Sequence, residues 1–159
     1  MTRHDVPELE ASIDIDAPPA VVWGLIGDVT RMPEWSPQVT SSRLRAGFDA
    51  VALGAEFTNR NALGEMEWTT HATIVAFEPE THLAFRVEEN WVIWSFGLEP
   101  TVTGTCLTQR RLAPEGVSGL SHELTEGFMG GTEKFAATLR EGMTETLAKL
   151  KAAAESTRS

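Results

Sequence analysis

Ile13-Asp14-Ile15-Asp16-Ala17-Pro18-Pro19-Ala20-Val21-Val22-Trp23-Gly24-Leu25-Ile26-Gly27-Asp28, followed by Arg31-Met32-Pro33-Glu34-Trp35-Ser36-Pro37, sets the order in which this chain builds its elements. Leu9, Ala11, Ile13 and Ile15 alternate with Glu10, Ser12 and Asp14, the period-two pattern of a half-buried strand. Asp16 is placed to cap a following helix, and Pro18 and Pro19 suit its first turn, where a missing N–H costs little. Val22, Leu25 and Ile26 share one helical face, and Gly27-Asp28 ends the helix. Pro33 and Pro37 then leave room for only a short helical turn around Trp35.

Downstream, strand-like segments at about 39–45, 55–63, 66–77, 81–89, 91–100 and 103–112 are punctuated by Gly47, Gly54, Gly64-Glu65, Glu78-Pro79-Glu80, Glu89-Asn90 and Gly104. Connections this short favour antiparallel hairpins over parallel crossovers. In the last third Leu124, Phe128, Phe135, Leu139, Met143, Leu147 and Leu150 recur every three or four residues, which predicts a long amphipathic helix. Gly127, Gly130 and Gly131 divide it into an uneven segment near 120–130 and a main helix from about 132 to 154, with a fraying tail at 155–159.

At 159 residues the chain reads as a single domain, 1–159 with a core at about 8–154, long enough to bury roughly 70% of its unfolded surface. A net charge of −10 with 13 scattered Lys and Arg argues against nucleic acid, which is held by clustered basic side chains, and against anionic membrane surfaces. No apolar run approaches the ~20 residues of a membrane span, so stable membrane insertion is not expected. Residues 1–12 lack the apolar core of a secretion signal, which predicts a cytoplasmic protein. The lone Cys106 reads as a structural strand cysteine.

A strand, two short helices, a run of antiparallel strands and one long C-terminal helix is the order of the helix-grip fold. With Ala17-Pro18-Pro19-Ala20-Val21-Val22-Trp23, Asp28-Val29-Thr30-Arg31 and Glu34-Trp35-Ser36-Pro37 in place, the chain resembles the START/polyketide cyclase/birch-allergen superfamily, SRPBCC. Phe57-Thr58-Asn59-Arg60-Asn61, Phe77-Glu78-Pro79, Leu83-Ala84-Phe85, Trp94-Ser95-Phe96-Gly97-Leu98-Glu99-Pro100 and Gly142-Met143 look like its polyketide cyclase/dehydrase branch. The resemblance implies an α+β fold in which a curved antiparallel sheet of six to seven strands wraps the long helix. It also implies an apolar cavity between sheet and helix that takes a lipid, sterol, polyketide or plant-hormone-sized ligand. Members range from enzymes to passive carriers, so fold alone does not choose among functions.

If the resemblance sets the strand parity, Phe57, Asn59 and Asn61 face inward on one strand, and Met66, Trp68, Thr70, Ala72 and Ile74 on the next. Leu83, Phe85 and Val87, then Trp94, Phe96 and Leu98, then Leu107, Gln109 and Arg111 continue the inner face. Met32, Trp35, Phe128, Met129, Phe135 and Leu139 close the box from the helices. The aromatic rings serve equally as core or as pocket wall. Asn59, Asn61, Gln109 and Arg111 discriminate more, because amides and a guanidinium facing an apolar interior need partners. Either Arg111 pairs with an acid near the rim and the two Asn satisfy strand ends, or these groups orient a ligand's carbonyl and hydroxyl oxygens, with Arg111 also suited to a carboxylate.

His4, His71, His82 and His122 are dispersed, His71 on the outer parity of its strand, and with one cysteine they form no metal-ligand motif. No GxSxG, GxGxxG or phosphate loop occurs, so neither a metal nor a cofactor is expected. Three functions follow. The first is binding of a hydrophobic or aromatic small molecule in the internal cavity. The second is a polyketide cyclase/dehydrase acting on a poly-β-ketone with Arg111, Asn59 or Gln109 as oxyanion donors. No base is assigned for it, since Asp28 and Glu34 read as helix-terminal or surface groups and the chain has no Tyr. The third is an interaction module like the superfamily's chaperone-ATPase activators, supported by an exposed Trp91 and Ile93. Neither the ligand's identity nor the oligomeric state is legible.

Overall fold

β2 (Leu9–Ile15) leaves the sheet at Ile15 and feeds α1 (Pro19–Ile26), as the opening stretch predicts. The computed structural model describes residues 3–4, 8–114, 117–118 and 132–157. After α1 come a 3-10 helix (Val29–Glu34), then β3 (Val39–Leu44), β4 (Glu56–Leu63), β5 (Met66–Glu78), β6 (His82–Val87), β7 (Ile93–Pro100) and β8 (Thr105–Leu112). The long helix α2 (Thr132–Thr157) follows. A two-residue strand β1 (Arg3–His4) pairs with β9 (Val117–Ser118), a small ribbon without a sequence signal.

The main sheet has seven antiparallel strands in the order β2-β8-β7-β6-β5-β4-β3. All neighbours from β3 to β8 are joined in sequence, so the sheet is a meander whose far edge is completed by β2 pairing with β8. Register shifts between Ile74 and Ala76 and between Val39 and Ser41 bend the strands. The curved sheet grips α2, giving the α+β helix-grip fold expected from the order of elements.

Several local expectations are corrected. Asp16 does not cap α1: Pro18 stands at the N-cap without a side-chain bond, and its carbonyl accepts from Val21 and Val22 N–H. The helix begins two residues later than Asp16 can reach, and the Asp16 N–H instead donates to Glu155 Oε2 at 2.9 Å. For the same reason the tail does not fray at 155: Lys151 Nζ and the Asp16 N–H both bind Glu155, and α2 runs to Thr157. β7 begins at Ile93 rather than 91 because Trp91 has φ 69°, a left-handed turn conformation that no strand tolerates. Trp91 and Ile93 are half-buried rather than exposed, which removes the sequence support for an interaction surface there. The segment near 120–130, with Gly127, Phe128, Met129, Gly130 and Gly131, lies outside the described residues.

The main core joins Ile15, Val22, Ile26, Phe57, Ile74, Leu83, Leu98, Leu107, Leu147 and Leu150, so α1 and the C-terminal half of α2 are sealed onto the sheet. A smaller cluster of Leu9, Ala136, Leu139 and Met143 seats the N-terminal half of α2 against the β2 edge. Trp94 packs against both clusters.

Candidate functional site

Where the two clusters meet, side chains do not fill the space between sheet and helix, and a cavity of about 340 Å³ remains. Eleven of the residues expected to line a site are in its wall: Trp35, Asn59, Asn61, Trp68, Thr70, Phe85, Trp94, Phe96, Gln109, Arg111 and Phe135. Met32, Met66, Val87 and Leu139 join them. Phe57 faces inward but lies beneath the wall: it is fully buried and meets Phe85 edge-to-face at 5.1 Å. Phe128 is outside the described residues.

The wall is divided by chemistry. Strand alternation places Asn59 and Asn61 on β4, opposite Thr70 and Trp68 of β5, and places Gln109 and Arg111 on β8, opposite Phe96 and Trp94 of β7. All four polar side chains are at most 8% exposed. The Asn61 amide nitrogen is satisfied: Nδ2 donates to Thr70 Oγ1 at 3.1 Å and lies 3.4 Å from the Trp68 carbonyl. The Asn59 amide is not, because its Nδ2 reaches only the Met32 sulfur at 3.4 Å and its Oδ1 has no partner. Exchanging the amide's N and O would still leave one polar atom bare, since sulfur is a weak partner for either. Gln109 Oε1 is also buried and unpartnered.

Arg111 meets rings rather than acids. Its guanidinium carbon lies 5.9 Å from the Trp94 ring centroid and 6.0 Å from that of Phe135. The anticipated rim carboxylate is missing among the described residues, and burial pushes the Arg111 pKa down to about 10. The side chain is still charged at neutral pH. At the helical corner Asp28 Oδ1 accepts from Thr30 N–H and caps the 3-10 helix. Glu34 is bound by Arg31 at 2.9 Å and 3.1 Å, and that hydrogen bond holds its carboxyl below the usual range. Neither acid reaches the cavity wall.

Sequence reasoning missed Ser36-Pro37-Gln38-Val39, Thr69, Glu89-Asn90, and Gly142, Met143 and Thr146 of α2 as wall residues. Met143 and Thr146 continue the helical spacing of Phe135 and Leu139, a signal that was available. Glu89 is the one carboxylate of the wall among the described residues. It accepts from His71 N–H at 2.7 Å and meets His71 Nδ1 at 2.6 Å, which turns it toward the outer face of β5. With Glu88 the pair forms an acidic group close enough to ligate a cation, but Glu88 is also engaged by Arg45 at 3.4 Å.

A family model described as polyketide cyclase/dehydrase and lipid transport matches residues 6–155. The chain belongs to that family. Among solved structures, this family member is similar to a polyketide-cyclase-like protein of Corynebacterium glutamicum, at 30% identity and a TM-score of 0.62 over 91% of this chain and 88% of that one. It is also similar to the di-domain ARO/CYC StfQ from the steffimycin biosynthetic pathway, at 13% identity and a TM-score of 0.74 over 94% of this chain and 51% of that one. An AHSA1-like protein from Aeromonas hydrophila matches at 17% identity and a TM-score of 0.63, over 95% of this chain and 94% of that one. The last two likenesses speak for the fold alone. A search of the curated proteins finds no match. Among the described residues, no helix of this family member is long and apolar enough to cross a membrane.

Proposed function

We propose that the cavity binds a hydrophobic, oxygen-bearing small molecule of lipid or polyketide type. The observation that carries this reading is the pair of buried amide oxygens, Asn59 Oδ1 and Gln109 Oε1, without partners in an otherwise aromatic and aliphatic wall. A buried acceptor left bare costs about 1–3 kcal/mol, and of the three buried side-chain atoms without partners among the described residues, only Ser42 Oγ lies away from the cavity wall, so a ligand there would satisfy the other two. An apolar cleft with a few convergent polar groups is the usual make-up of a small-molecule site, and ~300 Å³ is about the smallest volume at which such sites occur. Family membership and the fold shared with StfQ support the same reading.

Trp35, Trp68 and Trp94 stand in the wall and report on its occupancy. Titrating the protein with aromatic polyketides, flavonoids, sterols and fatty acids is expected to give saturable quenching by one class. Asn59→Ala removes one hydrogen bond and should weaken that binding by roughly three- to tenfold. A flat response across the whole panel, from protein shown to carry no co-purified ligand, would overturn the reading.

A further inference from the structure

We propose that the ligand is an aromatic acid carrying a hydroxyl group, its carboxylate paired with the Arg111 guanidinium and its ring laid against Trp94 and Phe135. This rests on the cavity being a binding site and narrows what the site takes. Arg111 is 8% exposed and lies on β8 between Leu9 of β2 and Trp94 of β7, an apolar neighbourhood on both sides. A guanidinium has five N–H donors in a planar fork. The two ring faces attract its charge but accept no conventional hydrogen bond from that fork.

An isolated buried cation is expensive, and proteins ordinarily supply a carboxylate for it. Among the described residues none is within ion-pair distance of Arg111, and the wall's own acid, Glu89, is held by His71. Burial lowers the Arg111 pKa only to about 10, so at neutral pH the cavity holds a full positive charge. A carboxylate matches the fork with two parallel hydrogen bonds, which a neutral carbonyl cannot do. Gln109 lies two positions along the same strand with its oxygen unpartnered, and it calls for a donor such as a ligand hydroxyl. The ligand's ring then lies in the cavity, whose wall both Trp94 and Phe135 help to form.

The test compares 3-hydroxy-2-naphthoic acid with its carboxamide, which keeps the shape and the hydroxyl and removes the charge. By calorimetric titration at neutral pH the acid is expected to bind at least about tenfold tighter than the amide. Arg111→Leu should abolish that preference while the protein melts no lower than the parent, and Arg111→Lys should retain part of it. Equal binding of acid and amide by the parent overturns the inference and leaves the cavity reading intact. A preference for the acid that persists in Arg111→Leu also overturns it. Binding of neither probe at millimolar concentration also overturns the inference, while the cavity reading falls only if the wider panel of polyketides, flavonoids, sterols and fatty acids gives no response either.

Discussion

Arg111 is costly to the fold, and that cost can be measured without any ligand. Taking an arginine out of water with no acid to meet it destabilises the native state, whereas a leucine, shorter but uncharged, would put an apolar group beside the Trp94 and Phe135 rings. Arg111→Leu is therefore expected to raise unfolding free energy by about 1–3 kcal/mol in urea titrations at pH 7. The sign of the pH dependence follows from the lowered pKa. Above about 10, and up to the ordinary guanidinium range, the unfolded chain holds the proton and the folded one does not, so parent stability rises with pH across that window. The gap between variant and parent should be the same at pH 6 and pH 8 and close only above about 10; a variant less stable than the parent at neutral pH would mean that Arg111 is a structural residue. Sequence alone marked Arg111 as an inward polar group but left open whether an acid met it, because ion pairing depends on which distant strands become neighbours. Asn61 and Asn59 show the same limit: Thr70 stands directly opposite Asn59 in the ladder, yet its hydroxyl accepts from Asn61, a choice of partner that sequence spacing does not reveal.

Among the elements, α2 shows why some of the cavity wall was legible and some was not. Phe135, Leu139, Met143, Leu147 and Leu150 follow the helical period, because residues that gain by leaving water repeat along the buried face. Gly142 and Thr146 also line the wall and interrupt that apolar pattern, because a cavity is made where side chains are too small or too polar to fill the space. Hydrophobic periodicity finds core and is blind to the residues that keep a space open. Glu89-Asn90 was legible only as a turn, and its place at the wall depends on the left-handed Trp91 that shapes the β6–β7 connection. The strand parities were easier, since alternation is set by the backbone itself and burial along β8 follows it residue by residue. Gly142 gives a test at this scale. A methyl group there would sit 3.4 Å from Pro37 Cγ, a tight contact that a ring atom can relieve by a small shift. Gly142→Ala is expected to stabilise the helix interior by up to about 1 kcal/mol in thermal unfolding. Gly142→Leu should leave the circular dichroism spectrum unchanged and abolish the quenching titration; undiminished binding would place the ligand outside the cavity.

For the whole molecule, a positive charge in the cavity is set inside a chain of net charge −10. The two act at different ranges. Arg111 is felt only after the ligand has left water, where low dielectric strengthens its pull, whereas the acidic surface is met first and repels an approaching anion. Affinity and association rate for an aromatic acid should therefore respond differently to salt. Raising ionic strength from about 10 mM to about 150 mM shortens the Debye length from ~30 Å to ~8 Å and screens the surface far more than the buried guanidinium. Stopped-flow quenching by 3-hydroxy-2-naphthoate is expected to show an association rate that rises severalfold over this range, with a dissociation rate nearly unchanged. The neutral carboxamide should show no such rise, since it has no charge for the surface field to act on. An association rate that falls with added salt would mean that a local basic surface, rather than the net acidic field, guides the ligand to the cavity. With 13 basic residues against 23 acidic ones, and Arg31, Arg45, Arg110, Lys149 and Lys151 each paired to a glutamate, the net acidic field is the one an approaching anion is expected to meet.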